Sequence, residues 1–480
     1  MGTNLPLDAD RLWADAMALA EITDPARPYT RRSFTPLFLE GRAWLAQRFA
    51  DAGLATRIDT SGNLIGRIEG RNSALGVIAI GSHSDTVPSG GRFDGIAGIA
   101  TGLEIVRVLR ESGTWLDHTI EIIDFLAEEP SEYGLSCVGS RGMTGTLDGK
   151  ILDLTEPAGE TLRDALRRVG GDPDRLDQAK RDDIRAFLEL HIEQGIVLES
   201  RSLDVGIVTS IVGIRRTEVV FQGEADHAGT TPIALRHDVL VAAAYTVASV
   251  RRIAEQLAAE GADYFVATVG ILAVDPSASN VVPGRCRLVI DARTTNPALT
   301  ARFVEAIDRE SAAHAATARV TRTSFETLSD GPPVACDSNL RSALRQGARD
   351  LGLGEMDLPS GAGHDAAFMS RICPSAMVFV PCRKGKSHTA EEWADREAIA
   401  AGAAVIYQAV KALDQSLPRS AWSGSGGFSD CKMSGGGSQR VGALGARWLF
   451  PQPALRGSDN FRRNELTRPR SDSLKVRSPE

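Results

Sequence analysis

The hydrophobic pattern of the first 200 residues changes repeatedly between helical and strand-like spacing. Residues 9–22 and 36–53 carry apolar side chains at helical intervals. Short apolar runs, among them GVIAIGSH and HTIEIIDFLA, then alternate with helical segments from about residue 55 to 145, and a further strand is predicted at 187–195. This alternation predicts an α/β domain whose mostly parallel sheet is covered by helices.

The pattern becomes that of a different domain at about residue 213. The segment IRRTEVVFQGEAD alternates like a half-buried strand, and three more strands and two helices, at about 236–259 and 298–316, follow it. The α/β pattern then resumes and ends in a helix predicted from about 392 to 414. We therefore expect a small α+β domain inserted into the larger one. The expected boundaries are 1–212 and 328–415 for the two parts of the larger domain and 213–327 for the insertion.

The C-terminal part of the chain has no sustained periodicity. The stretch SGSGGFSDCKMSGGGSQR has the composition of a flexible linker, and residues 440–480 contain nine Arg or Lys against four Asp or Glu. Such a composition cannot form a packed core. We expect residues 416–480 to form a disordered tail.

Composition and charge argue against several classes of protein. The formal net charge of −8 argues against binding of nucleic acid, which normally requires a basic surface. No run of about 18 apolar residues occurs, so no membrane span is expected, and the acidic N-terminus lacks the features of a secretory signal. The six cysteines have no paired spacing, which favours reduced thiols and a cytoplasmic location.

One glycine-rich segment, GSHSDTVPSGGRFDGIAG, carries the strongest chemical signal. His83 ends a predicted strand, and Asp94 follows in a loop where glycines let the backbone fold back closely. Asp85 points the same way as His83 along the strand, and we expect its carboxylate to hold the imidazole in one tautomer. One histidine with one aspartate is a weak indication of a metal site, so three later segments decide the interpretation.

The three later segments also lie at or just after predicted strands. Glu128 and Glu129 follow IEIIDFLA, His191 lies in LELHIEQG, and His388 lies in RKGKSHTAEEW. Each has a simpler explanation alone: a solvated strand end for the glutamate pair, a core position for His191 and a surface position for His388. Because neighbouring residues on a strand face opposite ways, one glutamate can bind a metal while the other faces a substrate.

Together, these side chains favour a hydrolytic site with two metal ions. The candidate ligands are His83, Asp94, Glu129, His191 and His388. Imidazole and carboxylate ligands suit zinc, manganese, cobalt or nickel, and two ions about 3.5–4 Å apart with Asp94 as the bridge would form such a site. The site needs one further base for the proton of the attacking water, and Glu128 is the spare carboxylate. All candidates lie where open α/β sheets place their sites.

The segments resemble those of the two-metal amidohydrolases that include N-carbamoyl-L-amino-acid hydrolase, allantoate amidohydrolase and β-ureidopropionase, within the wider aminoacylase and carboxypeptidase clan of metallopeptidases. The resemblance covers about residues 30 to 415, and its motifs occur in order: GSHSDT, GGRFDG, AEEP, ELHIEQG, ADHAGTTP, SNVVPG, DART, SGAGHDA and SH. The wider clan usually has an acidic ligand at the position of His191, so HIEQG marks the carbamoylase branch.

The resemblance implies a role for each motif residue. His83 and His191 would bind one ion, Glu129 and His388 the other, with Asp94 as the bridge and Glu128 as the general base. The implied substrate residues are Gln194, His227, Asn280, Arg293, Gly363 and His364, with Asp365 lining the pocket or supporting the metal ligands. Arg293 would grip the substrate carboxylate with help from Asn280. His227 would polarise the scissile carbonyl in the site of the neighbouring subunit.

The implied protein is a cytoplasmic, homodimeric, metal-dependent amidohydrolase whose inserted domain serves as lid and dimer contact. With two divalent ions per subunit, it would cleave the carbamoyl C–N bond of an N-carbamoyl-L-amino acid or a related ureido acid such as allantoate. An aminoacylase or dipeptidase that cuts an ordinary amide is one alternative, against which His191 and Gln194 argue. A binding scaffold that has lost catalysis is another, against which the intact Glu128 argues. Glu132, where many relatives have a basic or neutral side chain, leaves open which substrate side chain is accepted.

Overall fold

A computed structural model describes residues 5–261 and 263–417. Its strands are β1 (Ala55–Ile58), β2 (Leu64–Ile68), β3 (Val77–His83), β4 (Thr119–Phe125), β5 (Ile184–Ile192), β6 (Val205–Ile211), β7 (Gly213–Gln222), β8 (Asp226–His227), β9 (Phe265–Asp275), β10 (Val281–Val282), β11 (Arg285–Thr294), β12 (Thr321–Gly331), β13 (Val334–Ala335), β14 (Glu355–Ser360) and β15 (Ser375–Val380). Its α-helices are α1 (Ala9–Ala20), α2 (Pro36–Asp51), α3 (Ile96–Glu111), α4 (Val138–Met143), α5 (Gly149–Leu152), α6 (Leu162–Arg168), α7 (Val197–Arg201), α8 (Val239–Ala259), α9 (Pro297–Thr317), α10 (Ser338–Asp350), α11 (Asp365–Met369) and α12 (Arg396–Ser416).

The larger sheet has nine strands and confirms the predicted α/β class. Its order is β1-β2-β4-β3-β5-β15-β6-β13, with β14 paired to β6. The pairs β4–β3, β3–β5 and β5–β15 at its centre are parallel, whereas the outer strands add antiparallel pairs. Every residue of β3 and β4 is buried, as expected for parallel strands covered on both faces. Helices α3 and α12 pack against this sheet and are themselves mostly buried.

The parallel centre of the sheet explains why distant sequence motifs meet. Strands β4, β3, β5 and β15 are neighbours that run in the same direction, so their carboxyl ends lie along one edge. His83 is the last residue of β3, and His191 is the last but one of β5. The loops after β4 and β15 carry the glutamate pair and His388 to the same edge. This placement is the usual one for a site in an α/β sheet.

The inserted segment forms its own sheet and core. Strands β12, β7, β11 and β9 make a four-stranded antiparallel sheet, and α8 and α9 pack against it around a separate apolar cluster. These are the four strands and two helices expected in this part of the sequence. The limits 213–327 stay a prediction, and β12 runs four residues past them, to Gly331. The two-residue strands β8 and β10, which pair with each other, were not predicted.

Some local expectations differ from the structure. The last helix begins at Arg396 rather than at about 392, because Glu392 and Trp393 lie in an irregular segment that contacts the Asp94 loop. Short helices between 138 and 168 were not predicted. The tail expected at 416–480 lies outside the described residues from 418 onward, and Ser416 is the last residue of α12. Among residues 5–261 and 263–417, no helix has the length and apolarity to cross a bilayer.

Candidate metal centre

The five predicted metal ligands converge at the carboxyl edge of the larger sheet. His83 and His191 are almost fully buried at the ends of β3 and β5. Asp94 lies in the loop that leads into α3, Glu129 lies in the loop after β4, and His388 lies in the loop after β15. Four of the five are buried and His388 is exposed on one side, so the centre has an open side toward solvent.

The carboxylate of Asp94 is shared by two groups of donors. Its Oδ1 lies 3.3 Å from His83 Nε2 and 3.2 Å from His191 Nε2. Its Oδ2 lies 3.3 Å from His388 Nε2, which is itself 3.3 Å from Glu129 Oε1. Within each group the candidate ligand atoms all lie within 4.8 Å of one another. Each oxygen of Asp94 thus faces a different group, as a bridging carboxylate requires.

The hydrogen bonds of the two buried imidazoles favour metal binding. His83 Nδ1 lies 3.0 Å from the main-chain oxygen of Asp85, and His191 Nδ1 lies 2.9 Å from the main-chain oxygen of Ile192. A carbonyl oxygen only accepts, so in the neutral ring each Nδ1 carries the hydrogen and each Nε2 has a free lone pair. Both free lone pairs are on the nitrogens that face Asp94.

The role expected of Asp85 needs a correction. Its carboxylate lies 3.6 Å from His83 Nδ1, farther than its own main-chain oxygen, which holds the ring. The carboxylate instead accepts the N–H groups of Glu128 and Glu129, at 3.2 and 3.3 Å. Asp85 therefore orients His83 mainly with its main-chain oxygen, and it orients the glutamate pair with its carboxylate, which also faces the His83 ring.

The electrostatics of the centre favour a cation. Burial raises the pKa of Asp94, but the neighbouring imidazoles, His191 foremost, outweigh burial and hold that pKa well below its usual value. Hydrogen bonds that His388 donates to the carboxylates of Asp94 and Glu129 raise the pKa of His388 to about 11. Protons thus bind strongly where the carboxylates converge. A divalent cation at the same place would replace them, since metal binding and proton release are coupled.

Glu128 lies beside the two groups and belongs to neither of them. Its Oε2 is 3.8 Å from His83 Nε2, and the thiol of Cys137 donates to its Oε1 at 3.6 Å. Burial raises the pKa of Glu128 well above its usual value; the charge of His83 opposes this, and Glu129 adds to it. A carboxylate with a raised pKa is a better proton acceptor, which is the property that a general base needs.

The substrate residues predicted in the larger domain are also close to the candidate metal centre. Gln194 donates from Nε2 to Asp94 Oδ2 at 2.6 Å, so its amide contacts the shared carboxylate directly. The rings of His364 and His191 are 4.6 Å apart between centroids, and burial lowers the pKa of His364 well below its usual value. Asp365 accepts a hydrogen bond from Ser140 at 2.5 Å. Gly363 precedes this pair, and the side chain of Ile214 lies near it.

The predicted substrate residues of the inserted segment lie apart from the centre. His227 and Asn280 come together through the β8–β10 ribbon, in which His227 pairs with Val281. The Nδ1 of His227 accepts N–H groups from Gly229 and Thr230, at 3.0 and 3.1 Å, so the ring hydrogen is on the exposed Nε2. Within the described residues, no hydrogen bond or ion pair joins His227 or Asn280 to the five candidate ligands.

Arg293 lies on β11 of the inserted segment, where this strand contacts the loop that follows β14 of the larger sheet. Its Nε pairs with Asp291 at 2.8 Å, and its Nη1 donates to the main-chain oxygen of Gly361 at 3.1 Å. The second contact ties the inserted segment to the SGAGHDA loop. The remaining nitrogen, Nη2, has no partner among residues 5–261 and 263–417 and is available to an anion.

Two residues at the centre were not predicted, Ser387 and Glu392. Ser387 Oγ lies 2.9 Å from Asp94 Oδ2 and 2.8 Å from Glu392 Oε2. Burial, followed by the charge of Asp94, raises the pKa of Glu392 to about 7. The only sequence signal was the motif SHTAEEW, in which Glu392 follows His388 by four residues.

Known proteins that are similar to this chain belong to the family that its motifs resemble. A family profile described as peptidase family M20/M25/M40 matches residues 79–412. An N-carbamoyl-L-amino acid amidohydrolase of Geobacillus stearothermophilus is 38% identical over 412 residues, which cover 85% of this chain and 99% of the relative. An allantoate amidohydrolase of Bacillus subtilis (strain 168) is 34% identical over 368 residues, 76% of this chain and 87% of the relative. A crystal structure of an amidase of the hydantoinase/carbamoylase family from Burkholderia vietnamiensis superposes with a TM-score of 0.75 at 34% identity, covering 86% of this chain and 98% of the other.

Proposed function

The chain belongs to peptidase family M20/M25/M40, and within that family we propose that it hydrolyses the carbamoyl C–N bond of an N-carbamoyl-L-amino acid or a related ureido acid such as allantoate. Membership of the family confirms the resemblance inferred from the motifs. Two relatives, 38% and 34% identical over 85% and 76% of this chain, carry the names N-carbamoyl-L-amino acid amidohydrolase and allantoate amidohydrolase, which supports the choice of bond.

The observation that carries the proposal is the shared carboxylate of Asp94 with Glu128 beside it. Three imidazoles and two carboxylates form two donor groups around one bridging side chain, and the donor types suit a divalent transition metal. Glu128 is left free for proton transfer. A hydrolase needs both parts, whereas a binding scaffold needs neither.

Members of this family are metal-dependent hydrolases, and we expect two divalent ions per subunit, zinc, manganese, cobalt or nickel. The donor tautomers of His83 and His191 and the negative field at His388 fit such ions. When bound, the ions would supply an activated water and a Lewis acid for the carbamoyl carbonyl. We propose His83, Asp94 and His191 for one ion and Asp94, Glu129 and His388 for the other.

The remaining steps use the side chains of the chain itself. Glu128 would take a proton from the attacking water at its carboxylate, and then give it to the nitrogen of the leaving amine. The C–N bond of the tetrahedral intermediate breaks as that nitrogen is protonated, which releases the amino acid and carbamate; carbamate decomposes to carbon dioxide and ammonia. The raised pKa of Glu128 supports both roles, because it accepts and returns a proton at little cost.

Substrate recognition would draw on Arg293, Asn280 and His227. The unused Nη2 of Arg293 supports its pairing with the substrate carboxylate. The outward Nε2–H of His227 supports donation to the developing oxyanion. Gln194, Gly363 and His364 would line the side of the pocket on the larger sheet.

A homodimer is the second part of the proposal. The inserted segment exposes apolar side chains on α8 and on β9, which is an edge strand of its sheet. They are Leu240, Val241, Tyr245, Val266 and Leu272. A long edge strand flanked by an apolar helix face is a surface that proteins normally cover. We propose that a second copy of this chain covers this surface and that each His227 acts in the centre of the other subunit, as the resemblance implies. We also propose a cytoplasmic location, which the five buried free cysteines of the described residues support.

A panel of substrates tests the proposal. Purified protein, loaded in turn with zinc, manganese, cobalt and nickel, would be assayed for ammonia release from N-carbamoyl-L-amino acids, N-carbamoyl-β-alanine and allantoate. N-acetyl amino acids and dipeptides serve as the matched controls, assayed for release of the amino acid. Faster cleavage of the carbamoyl compounds is expected. Faster cleavage of the acetyl compounds would establish the aminoacylase alternative, and metal binding without any turnover would establish a scaffold.

A further inference from the structure

We propose that Glu392 is a positioning residue that holds the two loops of the metal centre together and sets the orientation of the shared carboxylate of Asp94. The inference rests on the proposed function only in taking Asp94 and His388 as metal ligands. Glu392 is fully buried and lies on the segment between the His388 loop and α12.

The first contact of Glu392 is with the backbone of the Asp94 loop. Its Oε1 accepts the N–H of Phe93 at 2.8 Å and the N–H of Asp94 at 3.2 Å. These two donors belong to the residues that immediately precede the turn into α3, so the contact fixes the direction in which the Asp94 side chain leaves the backbone. A buried N–H without an acceptor is costly, so the loop would rearrange if Glu392 were removed.

The second contact reaches the Asp94 side chain through Ser387. Ser387 Oγ lies 2.8 Å from Glu392 Oε2 and 2.9 Å from Asp94 Oδ2. Oδ2 is the oxygen that faces His388, whereas Oδ1 faces His83 and His191. The hydroxyl of Ser387 therefore contacts the same oxygen of Asp94 that faces His388, and it can keep that oxygen turned toward the His388 group. Glu392 thus contacts the backbone of Asp94 with one oxygen and Ser387 with the other, and the single hydroxyl hydrogen of Ser387 is donated to one of the two carboxylates at a time.

The absence of a side chain at Gly91 leaves the space that the carboxylate of Glu392 occupies. A Cβ placed on Gly91 would lie 2.2 Å from Glu392 Cδ, and the φ of Gly91 is +115°, a conformation that favours glycine. The second glycine of GGRFDG is thus required by a side chain 301 positions later in the chain. The next residue, Trp393, adds an apolar contact between the same two segments, since its ring centroid is 5.7 Å from that of Phe93.

Two conservative variants separate the geometry of Glu392 from its charge. Glu392→Gln keeps one oxygen for the two N–H groups, and its new NH2 can donate to Ser387 Oγ, which then donates to Asp94. Glu392→Asp keeps the charge but is one methylene too short to reach both partners. If Glu392 acts by position, Gln should preserve the metal centre better than Asp does.

Metal binding is the measurement, with Co²⁺ as the probe. The full-length parent and variants would be stripped of metal and titrated with Co²⁺, and the visible absorption of the bound ion would report affinity and coordination. We expect Glu392→Asp and Glu392→Ala to raise the Co²⁺ dissociation constant by about 10–100-fold, the range found when a partner of a metal ligand is lost. Glu392→Gln should stay within about threefold of the parent and keep its spectrum.

The matched control is Asp414→Ala. Asp414 is another buried carboxylate that accepts consecutive backbone N–H groups, those of Asp117 and His118, but it lies at the opposite end of β4. Its loss should lower the melting temperature and leave Co²⁺ affinity unchanged. A Glu392→Asp protein that binds Co²⁺ as tightly as the parent, or a Glu392→Gln protein that is weakened as much as Glu392→Asp, would overturn the inference.

The experiment does not depend on turnover. A parent that binds two Co²⁺ per subunit but hydrolyses no carbamoyl or ureido acid would remove the proposed function and leave this inference standing. An active parent whose Glu392→Asp and Glu392→Ala variants bind Co²⁺ normally would do the reverse.

Discussion

The candidate metal centre and the proposed substrate residues of the inserted segment differ in how far their side chains are already assembled in this chain. At the centre, Asp94 already contacts three imidazoles, and the ring orientations of His83 and His191 are fixed by main-chain oxygens. On the inserted segment, His227 and Asn280 are exposed, and the hydrogen bonds described for them stay within the β8–β10 ribbon and its adjoining loops. The five candidate metal ligands converge within one chain, whereas the proposed substrate residues of the inserted segment would reach them through a movement or in a second subunit.

The difference follows from how each region folds. The candidate ligands lie at the ends of neighbouring parallel strands or in the loops that follow them, so the packing of one buried sheet brings them together. His227 and Asn280 lie on a two-residue ribbon at the surface of a separate sheet. A rigid scaffold suits metal ligands, and a surface ribbon suits a group that must arrive with the substrate.

The largest effect is expected from Asp94→Ala. Because one carboxylate serves both donor groups, its loss should remove both ions and reduce kcat/KM by more than about 10⁴-fold, the upper range for loss of a general base. Metal analysis of the purified variant and its turnover would be measured together, and treatment of the parent with a chelator should have the same result until metal is restored. Asp414→Asn is the control, since it changes a buried carboxylate far from the centre. A variant that retains one ion would show that Asp94 does not bridge.

The next effect separates the two adjacent glutamates. Glu128→Gln should keep both ions and lower kcat by about 10²–10⁴-fold, because only proton transfer is lost. Glu129→Gln should in addition lose metal from the group that contains His388. Bound metal and kcat would be determined for both. Identical behaviour of the two variants would contradict the separate roles.

The convergence of the candidate ligands could be predicted from the sequence because each lies in a short local motif and parallel strands align their ends. Each of His83, Glu129, His191 and His388 stands at or shortly after an apolar strand, and parallel strands bring such positions together without further information. The fold class was predictable for the same reason. The spacing of apolar residues distinguishes β3 or β7 from α8 over many residues.

The parts that were missed depend on contacts between distant residues or on unusual backbone conformations. The hydrogen bond from the N–H of Phe93 to Glu392 spans 299 positions, and no local pattern reports it. Gln194 and His388 adopt positive φ angles of 54° and 56°, which a sequence pattern does not predict for these residue types. The exchange of roles at Asp85 has the same origin: the motif shows which residue is present, and the packing decides whether its backbone or its side chain is used.

A smaller effect is expected at Arg293, the link between the two halves. Arg293→Lys should raise KM by about 10–100-fold, the equivalent of one lost hydrogen bond between charged groups, because lysine cannot reproduce the planar guanidinium. kcat should change less, since no reacting atom is touched. The control is Arg287→Lys on the same strand, whose partner is Glu218. An unchanged KM for Arg293→Lys would place the substrate carboxylate elsewhere.

The smallest effect is expected from mixed dimers. It decides whether His227 acts in the centre of its own subunit or in that of the partner. Glu128→Gln and His227→Ala subunits should each be nearly inactive, because each lacks one half of the proposed site. If His227 acts in the partner's centre, a mixed dimer has one site with an intact Glu128 and a His227 from its neighbour. Random exchange makes about half of the dimers mixed, with one active site in two, so about a quarter of the parent activity should return. Mass spectrometry would verify the exchange. Exchange without recovery would mean that His227 serves its own subunit, and the lid would then have to close within one chain.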